Sequence, residues 1–312
     1  MLTERKIATV FGASGFLGRY IVQRLTAQGY VVRAAVRDTE AAKILRPMGA
    51  VGQVALLYAP VSAEAQAARA IDGANIVINL AGTLTESKKN EFFSTHADGA
   101  GRVARLARAS GARLVHVSAI GANPSSGSAY ARSKGEGELA VKNAHADAVI
   151  LRPSIIFGPE DQFFNRFAMI AAHMPILPIV HGDTKFQPVY VADVADAVLA
   201  ALAPEAAGKT YELGEGTPKT FRALMQQMLG IIERKTCIWD MPVGIARLIA
   251  SIPYSGLTHD QITLLATDNV VAPTALGLEQ LGIVPSRLDL VLPGYLARYR
   301  VSGRSQKDIF SE

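Results

Sequence analysis

The chain has 312 residues, 49% hydrophobic and 19% charged, with a formal net charge of +5; this excludes disorder over most of its length and accommodates one large domain or two unequal ones. Its single cysteine, Cys237, excludes an intramolecular disulfide and any multi-cysteine metal site, suits a reducing compartment and reads as a small buried apolar residue. The mild basic excess comes without a dense basic stripe, an RNA-recognition signature or zinc-finger spacing, so nucleic acid is excluded as a partner and an anionic cofactor, an anionic membrane surface or an acidic partner protein remain.

Residues 7–11, IATVF, are β-branched and apolar and read as a first strand. Gly12, Gly15 and Gly18 follow at three-residue spacing in GASGFLG, and residues 18–25 turn helical before Gly29 closes the helix. Residues 31–36, VVRAAV, read as a second strand ending at Arg37. Strand, glycine turn, helix and strand within about thirty residues form a βαβ unit that opens a dinucleotide site. Gly12 lets the chain turn out of the strand, Gly15 admits the pyrophosphate to the backbone N–H groups, and Gly18 lets helix and sheet approach. The spacing is GxxGxxG rather than GxGxxG, and a strand-helix turn without a ligand is the simpler alternative. Arg37 sits where an arginine accommodates the 2′-phosphate of NADP, which favours NADP(H), with Arg33 adding charge from the same strand. The competing reading has Arg37 solvated and Asp38 on the ribose of NAD.

Residues 39–45 look like a short helix, 51–58 a third strand, 62–71 a helix, and 74–80, ANIVINL, a strand that exits into Ala81-Gly82. That exit leaves room for the adenine-side ribose and phosphates, or is a plain strand-loop junction. Residues 92–109 are a long helix with Arg102, Arg105 and Arg108 on a solvated face, and 114–118, LVHVS, a buried strand. Tyr130-Ala-Arg-Ser-Lys134 then places a phenol and an ammonium four residues apart on one helix face. A lysine so placed lowers the phenol pKa and hydrogen-bonds a nicotinamide ribose, and a tyrosine so activated exchanges a proton with a carbonyl or alcohol. Ser118 ends the preceding strand twelve positions earlier, as a substrate polariser, a cofactor contact or a turn cap.

Residues 149–157 begin as a further strand, 194–202 form an apolar helix, 211–214 a short strand, and 220–232 an amphipathic helix capped by Thr220. Residues 241–254 are apolar and fit a groove cover, an oligomer contact, a membrane-surface contact or packing on their own domain. Residues 257–265 and 276–281 read as short helices, and the tail carries Arg298, Arg300, Arg304 and Lys307, suited to lipid headgroups, an acidic partner or a frayed end. The first apolar run enters the glycine turn directly, which argues against a signal peptide. The longest apolar stretch, 167–180, is broken by His173, Pro175 and Pro178, so no membrane span is expected.

Alternating strands and helices predict an α/β Rossmann fold, a doubly wound and mostly parallel sheet, with a smaller C-terminal α/β region over the cofactor crevice. The expected division is a nucleotide-binding domain over 1–155 and a smaller partner or substrate region over 156–312, with the chain returning to the first domain at about 185–203.

With the glycine turn, Ala81-Gly82, Ser118, Tyr130 with Lys134, LRPSIIFGP (151–159) and VYVADVADAV (189–198), the chain resembles the short-chain dehydrogenase/reductase superfamily in its extended or atypical branch. FGPEDQFFNRF (157–167), KFQPVYVADVADAV (185–198), YELG (211–214) and LPGYLARYR (292–300) make it similar, within that branch, to the nucleotide-binding accessory subunits of respiratory complex I, the NADH-quinone oxidoreductase, in their bacterial form. The resemblance implies a structural NADPH without established turnover. It places cofactor contacts at Gly12, Ser14, Gly15, Phe16, Leu17, Gly18, Arg37, Leu80, Ala81, Gly82, Ser118, Tyr130, Lys134, Pro153 and Ile156. Tyr130 and Lys134 double as the catalytic pair of an NADPH-dependent reductase or epimerase, and no metal is implied. The implied partners are other complex I subunits of the peripheral arm, with lipid-headgroup contact. The implied location is the cytoplasmic face of the bacterial inner membrane. The position around Ala59-Pro60 departs from the superfamily in lacking an acidic residue for the adenine amine, and the interval from Ser118 to Tyr130 is shorter than the extended branch uses.

Overall fold

The computed structural model describes residues 6–86, 88, 90–252 and 256–300. They form two compact units. The first comprises residues up to Pro153, Val191–Leu213 and Ala272–Val284; the second Ser154–Tyr190, Gly214–Val271 and the residues from Pro285 onward.

The first unit is built on seven strands, β1 (Ile7–Phe11), β2 (Val31–Val36), β3 (Val54–Tyr58), β4 (Ile76–Asn79), β5 (Arg113–Val117), β6 (Val149–Pro153) and β7 (Thr210–Leu213). Their order is β7-β6-β5-β4-β1-β2-β3, and every neighbouring pair is parallel. All four residues of β4 are buried, and so are all of β1 and β5 except the first, the continuous apolar pattern that a sheet covered on both faces requires. The strand order reverses between β1 and β4, so the turns leaving these two strands flank the switch point where open α/β sheets bind ligands.

Helices α1 (Phe16–Ala27), α2 (Glu64–Ile71), α3 (Gly99–Ala109), α4 (Ala129–Ala144) and α5 (Val191–Ala200) belong to this unit. Gly29, at φ 82°, closes α1 while Tyr30 N–H donates to Leu25 O at 3.0 Å. The long helix expected over 92–109 is a short turn at Glu91–Phe93, a π turn at Ser94–Asp98 and α3. Its arginines are tied down: Arg102 and Arg105 reach Glu64, at 3.6 and 2.9 Å, and Arg108 reaches Asp147 at 3.2 Å.

In the second unit rings dominate the core. Phe157, Phe164 and Phe221 are fully buried, and Phe163 lies edge-on to Phe164 with centroids 5.1 Å apart. Thr220 caps the helix Phe221–Ile231 by accepting from Ala223 N–H, as expected. Asp161 is buried; its carboxylate accepts from Tyr295 Oη at 2.5 Å, Gly158 N at 3.1 Å and Asn165 N at 3.2 Å. Asn165 in turn accepts from Tyr299 Oη at 3.2 Å and from Arg298. The strings FGPEDQFFNRF and LPGYLARYR, whose contacting residues lie 133 and 134 positions apart in sequence, are therefore one knot in space.

Several expectations are corrected. Cys237 is exposed rather than buried, because its strand Cys237–Asp240 pairs only with Ile176–Ile179 in a two-stranded ribbon. Arg33 directs its charge to the end of α2 rather than to the end of β2, its guanidinium donating to the carbonyls of Ala70 (3.1 Å) and Asp72. The helix expected at 276–281 shrinks to a single 3-10 turn, Glu279–Leu281. Arg298 and Arg300 are not frayed: Arg300 donates to Ile231 O at 3.0 Å. Arg304 and Lys307 lie outside the described residues, as does Tyr254. Of the apolar stretch before it, Ala246 packs on Val180 and Ile262 while Leu248 is 70% exposed. Among the described residues no helix is long and apolar enough to cross a membrane.

Candidate functional site

At the C-terminal edge of β1 the chain turns through Gly12, whose φ of 77° lies in the left-handed region that favours glycine. A Cβ on Gly18 would stand 2.4 Å from Gly12 O and 2.5 Å from Ala13 O, so α1 can approach its own turn only with glycine there. Leu17 and Gly18 are buried, Ser14 and Phe16 half-buried, and Gly15 exposed. Gly15 is the N-cap of α1 and no side chain caps the helix, which leaves its positive end to the surroundings.

At the end of β2, Arg37 is exposed, with Glu91 Oε1 at 3.8 Å. Its neighbour Asp38 is committed elsewhere, as Oδ1 accepts from Glu40 N at 2.9 Å and Ala41 N at 3.0 Å. It thereby closes a turn just ahead of the 3-10 segment Ala41–Met48.

Between β4, β5 and α4 lies a buried polar cluster that sequence reasoning only half anticipated. Ser128 caps α4 by accepting from Ala131 N–H, which puts Tyr130 in the first turn and Lys134 one turn on. A Cβ on Gly137 would lie 2.0 Å from His96 O, so α4 packs directly on the backbone of the π turn. That contact carries His96 to the face of α4 that bears Ser133 and Lys134. Thr83 N–H donates to His96 Nε2 at 3.0 Å, so Nδ1 carries the proton and donates to Ser133 Oγ at 2.9 Å, while Ser133 donates to Tyr130 O at 2.8 Å. A parallel chain runs beneath it. Ala81 N–H donates to Asn79 Oδ1 at 3.1 Å, and Asn79 Nδ2 donates to His116 Nδ1 at 3.2 Å. The remaining proton is then on His116 Nε2, which is buried with no hydrogen-bond partner among the described residues, as is Ser118 Oγ.

Lys134 Nζ lies 6.0 Å from the centroid of the Tyr130 ring and donates to Val117 O at 3.4 Å. Burial lowers its pKa from 10.5 to about 8, against an opposing pull from Glu138. Burial, reinforced by the Lys134 charge, pushes His96 and His116 down to about 3, so both imidazoles are neutral at pH 7. Glu138 itself is held by Arg152, with contacts of 2.9 and 2.6 Å.

The structure thus brings Gly82, Ser118, Tyr130 and Lys134 into one neighbourhood: a Cβ on Gly82 would be 3.4 Å from Lys134 Nζ, and Ser118 N–H donates to Leu151 O at 2.7 Å on β6. Leu80 and Ala81 are half-buried at the exit of β4, and Pro153 ends β6 with its carbonyl on Ile120 N–H at 3.1 Å. Arg37 stands apart on the β2 side of the switch point. Ile156 belongs to the second unit. Asn79, His96, His116 and Ser133 escaped sequence reasoning; the one available signal was the polar HVS ending of an apolar strand.

The profile of the NAD dependent epimerase/dehydratase family matches residues 8–214. The chain belongs to this family. Along 98% of its length this family member is 36% identical to the mitochondrial NADH dehydrogenase (ubiquinone) 1 alpha subcomplex subunit 9 of Arabidopsis thaliana, covering 81% of that protein. It is 33% identical to a ceramide reductase of Caulobacter vibrioides over 63% of this chain and 61% of that one. Among solved structures, dTDP-glucose 4,6-dehydratase DesIV of Streptomyces venezuelae, with NAD and TYD bound, superposes with a TM-score of 0.71 at 19% identity, over 94% of this chain and 96% of that chain. That likeness establishes the Rossmann-like α/β fold.

Proposed function

We propose that this chain is an accessory subunit of a respiratory NADH dehydrogenase assembly, complex I, and that it holds NADPH as a structural ligand. The observation that carries the proposal is the extent of the similarity to the alpha subcomplex subunit: 36% identity along 98% of the chain, second unit included. The partners are then other subunits of the peripheral arm, at the cytoplasmic face of a bacterial inner membrane.

The residues of the first unit fit a dinucleotide. The uncapped start of α1 and the close turn at Gly12, Gly15 and Gly18 suit a pyrophosphate. Arg37 suits a 2′-phosphate, standing exposed at the end of β2, while one carboxylate oxygen of Asp38 is already engaged by the Glu40 and Ala41 N–H groups. Lys134 and Tyr130 suit the nicotinamide ribose, beside the unpartnered Ser118 Oγ and His116 Nε2. A ligand bound only by the folded state stabilises it by about 4 kcal/mol at a thousandfold excess over Kd, which is sufficient reason to retain one without turnover.

The test is a mild-detergent pull-down of the tagged protein from its own membranes, with nucleotide extracted from the same sample. NADH dehydrogenase subunits together with about one NADPH per chain, unmoved by added carbonyl compounds, is the expected result. A protein without companions and with exchangeable NADPH overturns it.

That outcome would favour the second reading, an NADPH-dependent reductase or epimerase. The Lys134 ammonium beside the Tyr130 ring and the similarity to a ceramide reductase support it. A bound nicotinamide would supply hydride; Tyr130 would exchange the proton at its phenol oxygen, with the Lys134 ammonium beside its ring. Unchanged activity in Tyr130→Phe excludes this mechanism.

A further inference from the structure

Arg19, near the start of α1, carries a buried nitrogen without a partner among the described residues. Its side chain is half-buried, its Nε is fully buried without a partner, and among the described residues no carboxylate or carbonyl pairs with the guanidinium, whose two outer nitrogens remain open to solvent. The contrast with Arg24 on the same helix is sharp: Arg24 pairs with Asp196 and donates to Ala192 O at 3.2 Å. A partly buried guanidinium without a counter-charge is costly, because desolvation is then unopposed.

Helical periodicity shows which way Arg19 faces. Arg19 and Thr26 are seven residues apart and share one face of α1. Thr26 packs against the 3-10 segment Ala41–Met48, its Oγ1 donating to Met48 O at 2.5 Å. Arg19 lies about 10 Å nearer the glycine turn along the same face, toward the beginning of that segment, which follows directly on Arg37 and Asp38. The positive end of α1, the unpaired Arg19 and the exposed Arg37 therefore border one corner of the first unit, and Asp38, the carboxylate nearest in sequence, is spent on backbone N–H groups.

We propose that Arg19 is a second specificity-determining residue for NADP(H), pairing with the phosphate on the 2′ position of the adenine ribose opposite Arg37. This rests on the NADPH reading above. A charge left unpaired by the protein is one that the ligand neutralises, and a doubly charged phosphate between two guanidiniums is the geometry arginine suits best.

The probes are 2′,5′-ADP and 5′-ADP, which differ only in the 2′-phosphate, titrated calorimetrically into the full chain cleared of nucleotide. The wild-type protein should bind 2′,5′-ADP at least tenfold more tightly than 5′-ADP. Arg19→Gln should weaken 2′,5′-ADP by about tenfold while changing 5′-ADP less than about twofold, and Arg19→Lys should recover part of the loss. The ligand-free Arg19→Gln protein should melt no lower than wild type, since it removes an unpaired charge; a purely structural arginine would lower the melting temperature. Equal weakening of both probes, or of neither, overturns the assignment to Arg19 and leaves the NADPH reading intact. Equal affinity of the wild-type protein for both probes overturns the NADPH reading itself.

Discussion

The two units bury polar groups in opposite ways. In the second, the carboxylate of Asp161 receives three donors, and the amide of Asn165 beside it is engaged on both its oxygen and its nitrogen. In the first, two neutral imidazoles, a lysine of lowered pKa and a serine crowd between β4, β5 and α4, and His116 Nε2 and Ser118 Oγ find no partner among the described residues. Closed polar knots rigidify, whereas open ones carry a standing cost that some other requirement must justify. On the proposal above, the second unit pins structure and the first holds the ligand, and variants in each should separate along that line.

The largest effect should come from closing the turn of the first unit. Gly18→Val would drive side-chain carbon into Gly12 O and Ala13 O, already 2.4 and 2.5 Å from an added Cβ. Neither backbone atom can yield without moving the end of β1. Nucleotide affinity should fall more than about 100-fold, with a clear drop in melting temperature; calorimetric titration together with thermal melting checks it. Retention of affinity would show that the turn is only a strand-helix junction.

Next is Asp161→Ala in the second unit. It strands the buried hydroxyl of Tyr295 and the Gly158 N–H, and at 1–3 kcal/mol for each stranded group the cost should be about 3 kcal/mol of stability, read by urea denaturation. Nucleotide specificity, the NADPH to NADH affinity ratio, should stay unchanged. A shifted ratio would break the division of labour between the units.

Acid should find the first unit before the second. His96 and His116 have folded pKa values near 3 against 6.5 unfolded. Between those values the unfolded chain binds more protons, so stability is full above about pH 6.5 and falls as pH drops. Each imidazole should cost about 2 kcal/mol by pH 5. Urea midpoints at pH 7 and pH 5 measure the loss, and His116→Gln, which keeps an acceptor for Asn79, should halve it. An undiminished loss in that variant would place the acid sensitivity elsewhere.

What was legible in the sequence follows from how far apart the interacting residues lie. The glycine turn, the strand order's raw material and the Tyr130–Lys134 pair are local patterns, and periodicity exposes them. His96 reads as an ordinary helix residue because nothing in STHAD announces a π turn, and only contact with Gly137, forty-one positions on, aims it at Lys134. Asp161 and Tyr295 are separated by 134 positions, so their strings could be quoted for a resemblance without revealing that they touch. Arg33 and Cys237 misled for the same reason. The carbonyls that occupy Arg33 come from α2, and the missing second neighbour of the Cys237 strand is a property of the sheet rather than of the strand.

The smallest effect tests the rim of the first unit rather than its interior. Arg37 is 77% exposed, with Glu91 at 3.8 Å, so any pairing it makes is screened by solvent and weaker than a buried one. Arg37→Asp should still repel a 2′-phosphate while leaving the ribose and pyrophosphate contacts alone. About a tenfold loss for NADPH is expected, with NADH changing less than about twofold, and the difference should shrink as salt is raised. Because no buried group loses a partner, the melting temperature of the ligand-free protein should not move. Equal losses for both nucleotides would mean that the rim does not read the 2′ position, and that Asp38, despite its two backbone donors, had been free to turn toward the ribose. A selective loss insensitive to salt would mean that Arg37 is drawn into a desolvated pocket on binding, and that the rim belongs energetically with the buried cluster.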